Sequence, residues 1–368
     1  MRLDCSKTKL QKIGHKIHVG DDLSPAEEIC FADFRRGHGE ILKNFRDRLN
    51  KSIKKNVILA GRLKKRETII NKLKDRYSEM DLVRMHDIAG VRLIFENISA
   101  LNKFRERFAS GDRSKKYIRI NNPDKYDYIK SPNLHTGYRG IHDIYEEITD
   151  DSIKMHLELQ YRTSVQHAWA TTLEIWDSSF GRMAKFGKEK DKNTTLLFKY
   201  ISELFARKLE NRGFLKDLSD AVLFAEIIKL DRKTKLLEKL HTIERINYDK
   251  PINKASEYVI LQKVLDSSVY NNASLKINLN TSQDLDRSFE LYKKLEDMHN
   301  KLNDIVMVSV KNPDKFLKKA YNNYYNDLSS FFKNYEKCIG MLKHSLGNKW
   351  KCIALVNNFT YFIKYPSL

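Results

Sequence analysis

Alternation of apolar and polar residues gives the clearest structural pattern in this chain, between Lys154 and Arg162. Apolar side chains occupy every second position there, which is the period of a strand with one buried face. The intervening positions are polar, at His156, Glu158, Gln160 and Arg162. The segment therefore predicts a strand that buries one face and presents a row of polar groups on the other.

Helical spacing dominates the segments before and after this strand. An apolar stripe predicts a helix from about Phe34 to Lys55, and a second helix is expected from about Glu67 to Tyr77. Four shorter elements are predicted next: a strand at Ile88–Phe95, a helix at Ser99–Phe108, and strands at Tyr117–Ile120 and Tyr138–Glu147. Beyond Thr163, the pattern is helical to about Glu244.

Residues 246–255 combine asparagines with a proline and form the predicted linker. The pattern after it predicts a strand at Leu275–Leu279, a helix at Ser282–Leu302, a strand at Asp304–Val310 and a helix at Pro313–Ala320. The expected domains are a polar lead-in (1–33), a core domain (34–185), a helical extension (186–250) and a small C-terminal domain (256–368). The expected fold class is α+β, with a mixed β-sheet flanked by helices.

Composition narrows the class of partner. The 368 residues include 68 Lys and Arg against 48 Asp and Glu, a net charge of +20. Such a field attracts polyanions, so nucleotides or RNA are the first candidates, although a lysine-heavy genome would give the same excess. The four cysteines, at positions 5, 30, 338 and 352, have no CxxC spacing and predict reduced, buried thiols in a cytoplasmic chain. No apolar stretch approaches ~18 residues and the start is polar, so neither a membrane span nor a signal peptide is expected.

Two carboxylates are candidates for metal binding. Asp87 directly precedes one predicted strand and Glu158 lies in the middle of another. Carboxylate oxygens suit Mg²⁺, and phosphoryl transfer needs little beyond a metal, cationic groups and an aligned hydroxyl. Residues 51–76, with ten Lys or Arg and two acids, could supply the cations. The alternative interpretations are that the polar face of residues 154–162 is simply a solvated strand face, and that residues 51–76 form a solvated helix face.

Six short motifs, taken in order, resemble the successive synthetase motifs of the RelA/SpoT family. They are GRLK at 61–64, DIAGVR at 87–92, DYI at 127–129, GYRGIH at 137–142, ELQYRT at 158–163 and QHAWAT at 166–171. The resemblance covers about residues 35–185 and implies an enzyme that transfers pyrophosphate from ATP to a ribose hydroxyl, with Mg²⁺ as cofactor. A GxxxxGK[ST] sequence is absent, which argues against a P-loop kinase.

The resemblance also implies roles for the matching residues. The expected site consists of phosphate-binding Arg62, Lys64, Lys72 and Arg92, metal-binding and catalytic Asp87 and Glu158, and acceptor-binding Tyr138, Arg139, His142, Gln160 and Arg162. Glu158 would activate the attacking hydroxyl, and Tyr138 would stack on the acceptor's base. Tyr126, Asn133 and Gly140 depart from the family pattern, which leaves the acceptor open.

The C-terminal segment is similar to the tail of single-chain toxin–antitoxin members of the same family. Asp304–Val310 is followed by Tyr321 and Tyr324, in a Tyr-x-x-Tyr arrangement with Asn322 in place of a proline. In those members this tail inhibits a synthetase that modifies the 3′ end of tRNA, and a phage protein can release it. Both tyrosines are therefore candidate regulatory residues, while a plain packing domain is the alternative.

Several functions remain open at this point. The expected partners are ATP, an acceptor that is either tRNA or GDP/GTP, and a phage protein as trigger. The charge and the tail favour tRNA over synthesis of the alarmone (p)ppGpp. An inactive RNA-binding regulator is a third possibility. A zinc site would draw on His135, His142, His156 and His167, which match no standard spacing. A metal-dependent hydrolase is disfavoured, because the His-Asp pairs at 86–87 and 142–143 both overlap synthetase motifs.

Overall fold

The computed structural model describes residues 5–76, 81–110, 116–148, 153–180, 192–246, 252, 255–266, 274–298 and 304–347. Within these ranges the chain forms an α+β fold, in which one β-sheet is flanked by helices. The predicted fold class is confirmed. The end of the helix predicted to reach Tyr77 and most of the predicted linker lie outside the described residues.

The N-terminal segment is helical, so the prediction of a polar lead-in is wrong. Helix α1 spans Lys7–Val19 and is capped by Ser6, which accepts a hydrogen bond from the Lys9 N–H. Helix α2 spans Pro25–Ser52, well before the predicted start at Phe34. Its first turn has a capping box, because Ser24 and Glu27 each accept the other's backbone N–H. The Ser-Pro-x-Glu sequence is the helix-start signal that the apolar pattern did not include.

Eight strands build a single sheet among the described residues. They are β1 (Ile58–Leu63), β2 (Ala89–Phe95), β3 (Ile118–Arg119), β4 (Ile141–Ile148), β5 (Lys154–Thr163), β6 (Tyr258–Asp266), β7 (Ser274–Ser282) and β8 (Asp304–Val310). Their order is β3-β4-β5-β2-β1-β8-β6-β7. Strand β8 pairs antiparallel with β1, so the C-terminal strands extend the sheet that carries the motif residues. Strands β1 and β6 were not predicted.

The remaining helices connect and cover these strands. They are α3 (Arg66–Arg76), α4 (Ile98–Ser110), α5 (Ser164–Phe180), α6 (Lys192–Leu209), α7 (Asp220–Thr234), α8 (Leu236–His241), α9 (Leu285–Asp297), α10 (Pro313–Ala320) and α11 (Ser329–Leu346). Helices α2, α4, α9 and α10 pack on strands of the sheet. No helix in the described ranges is long and apolar enough to cross a membrane.

The chain divides into two compact units. The first contains residues 1–126, 141–161 and 246–324, and the second contains 127–140, 162–245 and 325–368. The first unit includes the sheet. The second has a helical core from α5, α6, α7, α8 and α11, in which Trp169 and Trp176 are buried. Each unit combines segments that are distant in sequence, so neither corresponds to one contiguous predicted domain.

The cysteines differ from expectation. Cys5 and Cys30 form a disulfide that joins the start of the chain to α2, so the prediction of reduced thiols is wrong for this pair. The two residues are 25 positions apart, a separation that carries no disulfide signature by itself. Cys338 is a buried free thiol, and Cys352 lies outside the described residues.

Candidate active site

Strands β2 and β5 are neighbours in the sheet, and they position the two candidate metal ligands. Asp87 precedes β2, and Glu158 lies in the middle of β5. In the ladder between β4 and β5, Ile144 faces Glu158 and His142 faces Gln160, so these side chains share one face of the sheet. The alternating residues Leu157, Leu159 and Tyr161 are buried on the other face, as the sequence pattern predicts.

Asp87 is held by two lysines. Lys72 Nζ lies 2.8 Å from Oδ1, and the Lys64 ammonium contacts Oδ2. Burial alone would raise the pKa of Asp87, but Lys64 and Lys72 outweigh burial and lower that pKa. Burial also lowers the pKa of Lys64 to about 8, against the opposing effect of Asp87. The carboxylate is therefore ionised at neutral pH, beside the two lysines predicted to bind phosphates.

Glu158 has a separate pair of partners. His142 Nδ1 lies 2.8 Å from Oε1, and Gln160 Nε2 donates to Oε2 at 2.6 Å. Burial would raise the pKa of Glu158, but the opposing effects of His142, Gln160 and Lys64 lower it. An ionised carboxylate on this face can accept a proton or coordinate a metal ion. Two residues predicted to bind the acceptor thus contact the predicted catalytic acid directly.

Arg62, Arg92 and Tyr321 line one pocket, together with Ala60, Gly90, Val91 and Gln160. The Tyr321 hydroxyl donates to the Gly61 carbonyl at 2.8 Å, and its side chain is buried. Burial raises the pKa of Tyr321 to about 12, although Arg92 and Arg62 both act to lower it. The C-terminal segment thus contributes a neutral tyrosine to the pocket that carries two predicted phosphate-binding arginines. Tyr324 ends the turn that begins at Tyr321, and its N–H donates to the Tyr321 carbonyl.

The other predicted acceptor residues lie in the second unit. The Arg162 guanidinium lies 5.4 Å from the centre of the Tyr138 ring and donates to its hydroxyl at 3.2 Å. Arg139 is 2% exposed, forms an ion pair with Glu210 and donates to the Ser202 hydroxyl. Glu210 also accepts hydrogen bonds from Thr163 and Gln166. The buried environment makes Arg139 a supporting residue of this unit rather than an exposed cation.

Two further polar residues lie on the same sheet face, and neither was predicted to take part in pyrophosphate transfer. His156 and Glu146 lie opposite each other on β5 and β4, with His156 Nε2 3.3 Å from the Glu146 carboxylate. The His86 ring packs at 4.9 Å against that of His156. Burial lowers the pKa of both histidines. The alternation along β5 already placed His156 on the same face as Glu158, whereas no sequence pattern indicated its pairing with Glu146.

Magnesium fits the acids at this site better than zinc does. Asp87 and Glu158 are both ionised, and Glu158 acts on the pKa of Asp87. Mg²⁺ is commonly held by one or two carboxylates together with substrate phosphates, so these two acids provide an adequate protein contribution. In the part of the chain that the structure describes, no three His, Cys, Asp or Glu side chains are grouped to hold a metal. The four histidines considered for zinc therefore form no such group.

A sheet face with ionised acids beside lysines and arginines is the arrangement expected of a nucleotide-handling site. Residues 61–176 match the family model described as the region found in RelA/SpoT proteins. This segment of the chain belongs to the RelA/SpoT family. The family prediction from the six motifs is confirmed, whereas the toxin–antitoxin subtype stays a prediction. No curated protein matches the chain.

Solved structures similar to this chain include three of bacterial origin. The small alarmone synthetase 1 from Bacillus subtilis is 20% identical, with 47% of this chain and 88% of that chain covered and a TM-score of 0.37. The same enzyme bound to its product pppGpp is 20% identical, with 47% and 89% covered and a TM-score of 0.38. A GTP pyrophosphokinase family protein from Streptococcus pneumoniae is 20% identical, with 56% and 98% covered and a TM-score of 0.37.

Proposed function

We propose that this chain is an ATP-dependent pyrophosphokinase that transfers the β,γ-pyrophosphate of ATP to a ribose 3′-hydroxyl. The observation that carries this proposal is the pair of ionised carboxylates: Asp87, just before β2 and paired with Lys64 and Lys72, and Glu158, in the neighbouring strand β5. Phosphoryl-type transfer depends on such charges more than on covalent catalysis by the protein. The match of residues 61–176 to the RelA/SpoT family model supports the same reaction class.

The side chains suggest how the reaction would proceed. Arg62, Arg92, Lys64 and Lys72 would bind the ATP phosphates, while Asp87 and Glu158 would hold Mg²⁺, which would offset phosphate charge when bound. Glu158 would take the proton of the 3′-hydroxyl, and His142, at 2.8 Å, would orient the Glu158 carboxylate. The 3′-oxygen would bond to the β-phosphorus as the bond from that phosphorus to the α-phosphate oxygen breaks. AMP would leave.

We favour the 3′ end of tRNA as the acceptor, with Tyr138 and Arg162 as candidate contacts for its terminal base. A net charge of +20 suits a long polyanion, whereas a mononucleotide needs only a local group of cations. The alternative acceptor is GDP or GTP, which would make the chain a (p)ppGpp synthetase. ATP and either acceptor are cytoplasmic molecules, so we place the protein in the cytoplasm.

We further propose that the C-terminal segment inhibits the enzyme through Tyr321. This buried side chain shares a pocket with Arg62 and Arg92 and donates a hydrogen bond to the Gly61 carbonyl of β1. ATP and Tyr321 would therefore compete for the same arginines. A phage protein that binds the tail, including Tyr324, would release the inhibition and produce a toxin that blocks translation.

The test uses the full chain, γ-³²P-labelled ATP and Mg²⁺, with deacylated tRNA, GDP and GTP offered separately. Tyr321→Ala is compared with Phe316→Ala, which removes another buried ring of the same segment without opening the arginine pocket. We expect label on tRNA, with a rate roughly tenfold higher in Tyr321→Ala. Phe316→Ala should resemble the wild type.

Each other outcome selects an alternative. Label on GDP or GTP would replace the tRNA assignment with alarmone synthesis. Equal activation by Tyr321→Ala and Phe316→Ala would show general loosening and remove the specific role of Tyr321. An absence of label from every acceptor with both variants would contradict the enzyme proposal and favour an RNA-binding regulator.

A further inference from the structure

Three N–H groups converge on the carboxylate of Glu296 in the first unit. Arg35 Nη1 and Nη2 lie 2.9 and 3.0 Å from its two oxygens, and the backbone N–H of Arg66 donates to it at 3.0 Å. The side chain of Arg35 is 2% exposed and that of Glu296 is 9% exposed. An anionic group from α9 thus lies in a cradle formed by α2 and the start of α3.

The start of α3 has no capping side chain of its own. The residue before the helix is Lys65, and its ammonium group has no lone pair with which to accept a hydrogen bond. The first N–H groups of a helix need an acceptor from outside the helix when no such cap is present. Glu296, 230 positions further along the chain, supplies that acceptor to Arg66. The N-terminus of α3 is therefore an anion site that a distant carboxylate occupies.

Glu296 lies at a position in α9 that is unfavourable for a negative charge. Glu296 and Asp297 lie in the last turn of α9, where the helix dipole disfavours negative charge. The same helix places Phe289 and Tyr292 each 5.7 Å from the Arg35 guanidinium. Sequences depart from local preference mainly where function or strain requires it. Helix α9 therefore covers the Arg35 guanidinium, and its Glu296 neutralises the charge. Without α9, this cation would be exposed on α2.

The cradle adjoins the loop that carries the predicted phosphate-binding lysine. Arg35 Nη2 also donates to the Lys64 carbonyl at 3.1 Å. Lys65, Arg66 and Glu296 line a cavity at this point, together with Glu67, Asp297 and Ile305. Among the described residues, Arg35 Nε has no hydrogen-bond partner. The guanidinium thus has donor capacity that Glu296 does not use.

We propose that Arg35 and the N-terminus of α3 form a phosphoryl-binding site, in which Glu296 is the resident anion. A carboxylate and a phosphoryl group both match the paired donors of a guanidinium, and helix N-termini favour phosphates. When Glu296 leaves, the site takes a phosphoryl group of a polyphosphate chain. Arg35 is not among the residues assigned to ATP above, and this site exists whether or not the chain transfers pyrophosphate.

The test measures binding of inorganic tripolyphosphate to the full chain by calorimetry. Glu296→Ala vacates the cradle, and Asp297→Ala is the matched control, because it removes the neighbouring acid that lines the same cavity. We expect the dissociation constant of Glu296→Ala to fall about tenfold below those of the wild type and Asp297→Ala. Adding Arg35→Met to Glu296→Ala should abolish that gain.

Two calorimetric results would overturn the proposal. One is equal affinity in Glu296→Ala and Asp297→Ala; the other is a gain that persists in the Arg35→Met double variant. Should Glu296→Ala be too unstable for calorimetry, Glu296→Gln removes the charge with little change in volume. Its melting temperature in tripolyphosphate, against sodium chloride of equal ionic strength, should then rise more than that of Asp297→Ala. Equal rises would contradict the site.

Discussion

Two charged groups, one around Asp87 and one around Arg139, differ in their exposure to solvent. In the first unit, Asp87 is 21% exposed and its lysine partners are 10% and 23% exposed. In the second unit, Arg139 and Glu210 are 2% and 4% exposed, and hydroxyl and amide donors complete the network around Glu210. The first group can exchange its partners for those of a ligand, whereas the second has little room to do so. On this basis we propose a chemical role for the first group and a structural role for the second.

The largest effect is expected at Glu158. Glu158→Gln removes a negative charge with almost no change in volume, so transfer should fall roughly a thousandfold while the melting temperature stays close to that of the wild type. Labelled-ATP transfer and thermal unfolding measure the two quantities. Glu146→Gln, on the same sheet face but paired with Lys154 and His156, is the matched control and should retain activity. Equal activity of Glu158→Gln and the wild type would remove Glu158 from the chemistry.

Substitution of Arg139 should give the opposite result, a loss of stability. Arg139→Met leaves the Glu210 carboxylate buried without its cation, which should lower the free energy of unfolding by about 3–5 kcal/mol. Denaturant unfolding measures this loss. The double variant Arg139→Met/Glu210→Met removes both charges and should recover part of it. A stable Arg139→Met protein that has lost only acceptor affinity would show that Arg139 binds the acceptor. That result would contradict the contrast between the two charged groups.

Gly137 offers a smaller test of the same contrast. Its φ is +83°, and an added Cβ would lie 2.7 Å from the Lys199 Cα, a backbone atom that has little freedom to move. Gly137→Ala should therefore destabilise the protein by roughly 1–3 kcal/mol. At Gly90, in the first unit, an added Cβ meets only the flexible Arg62 side chain, at 3.9 Å. Chemical denaturation should show Gly90→Ala to be nearly neutral, and equal losses at both glycines would contradict this account.

The smallest effect concerns pH. The pKa of Lys64 is lowered to about 8, so its ammonium loses a proton as the pH rises through that value. The affinity of the free protein for ATP should then decline several-fold between about pH 7 and 9, because a phosphate-binding charge disappears. Lys64→Arg keeps the charge across this range and should flatten the profile. An identical decline in Lys64→Arg would assign the titration to another group.

Local patterns predicted those parts of the fold that depend on neighbouring residues. Strand β5 follows directly from its alternation, and the bounds of β8 and α10 agree with the predicted ones. Helix α1 was missed although Leu10, Ile13 and Ile17 form a buried helical stripe after a Ser6 cap. The pairing of β8 with β1 could not be predicted, because it depends on contacts between segments almost 250 positions apart.

The candidate site also has parts that the sequence could predict and parts that it could not. The order of the motifs is enough to predict Asp87 and Glu158 as candidate metal ligands, because both acids lie inside motifs that resemble those of the RelA/SpoT family. No sequence rule pairs Arg139 with Glu210, 71 positions away, or Arg35 with Glu296, 261 positions away. The contact of His142 with Glu158 was also not anticipated, because the motif resemblance assigned His142 to the acceptor. Side-chain partners across a fold follow from packing, which the linear pattern does not contain.

The position of β8 beside β1 has a consequence for synthesis of the chain. Until residues 304–310 leave the ribosome, the edge of β1 from Ala60 to Leu63 has no hydrogen-bonding partner. An unpaired strand edge is a template for association with other chains. Nascent chains on the same messenger are therefore at risk of pairing through β1, and a chaperone that shields this edge would raise the folded yield. Premature stop codons before position 304 should accordingly yield aggregates rather than a free synthetase.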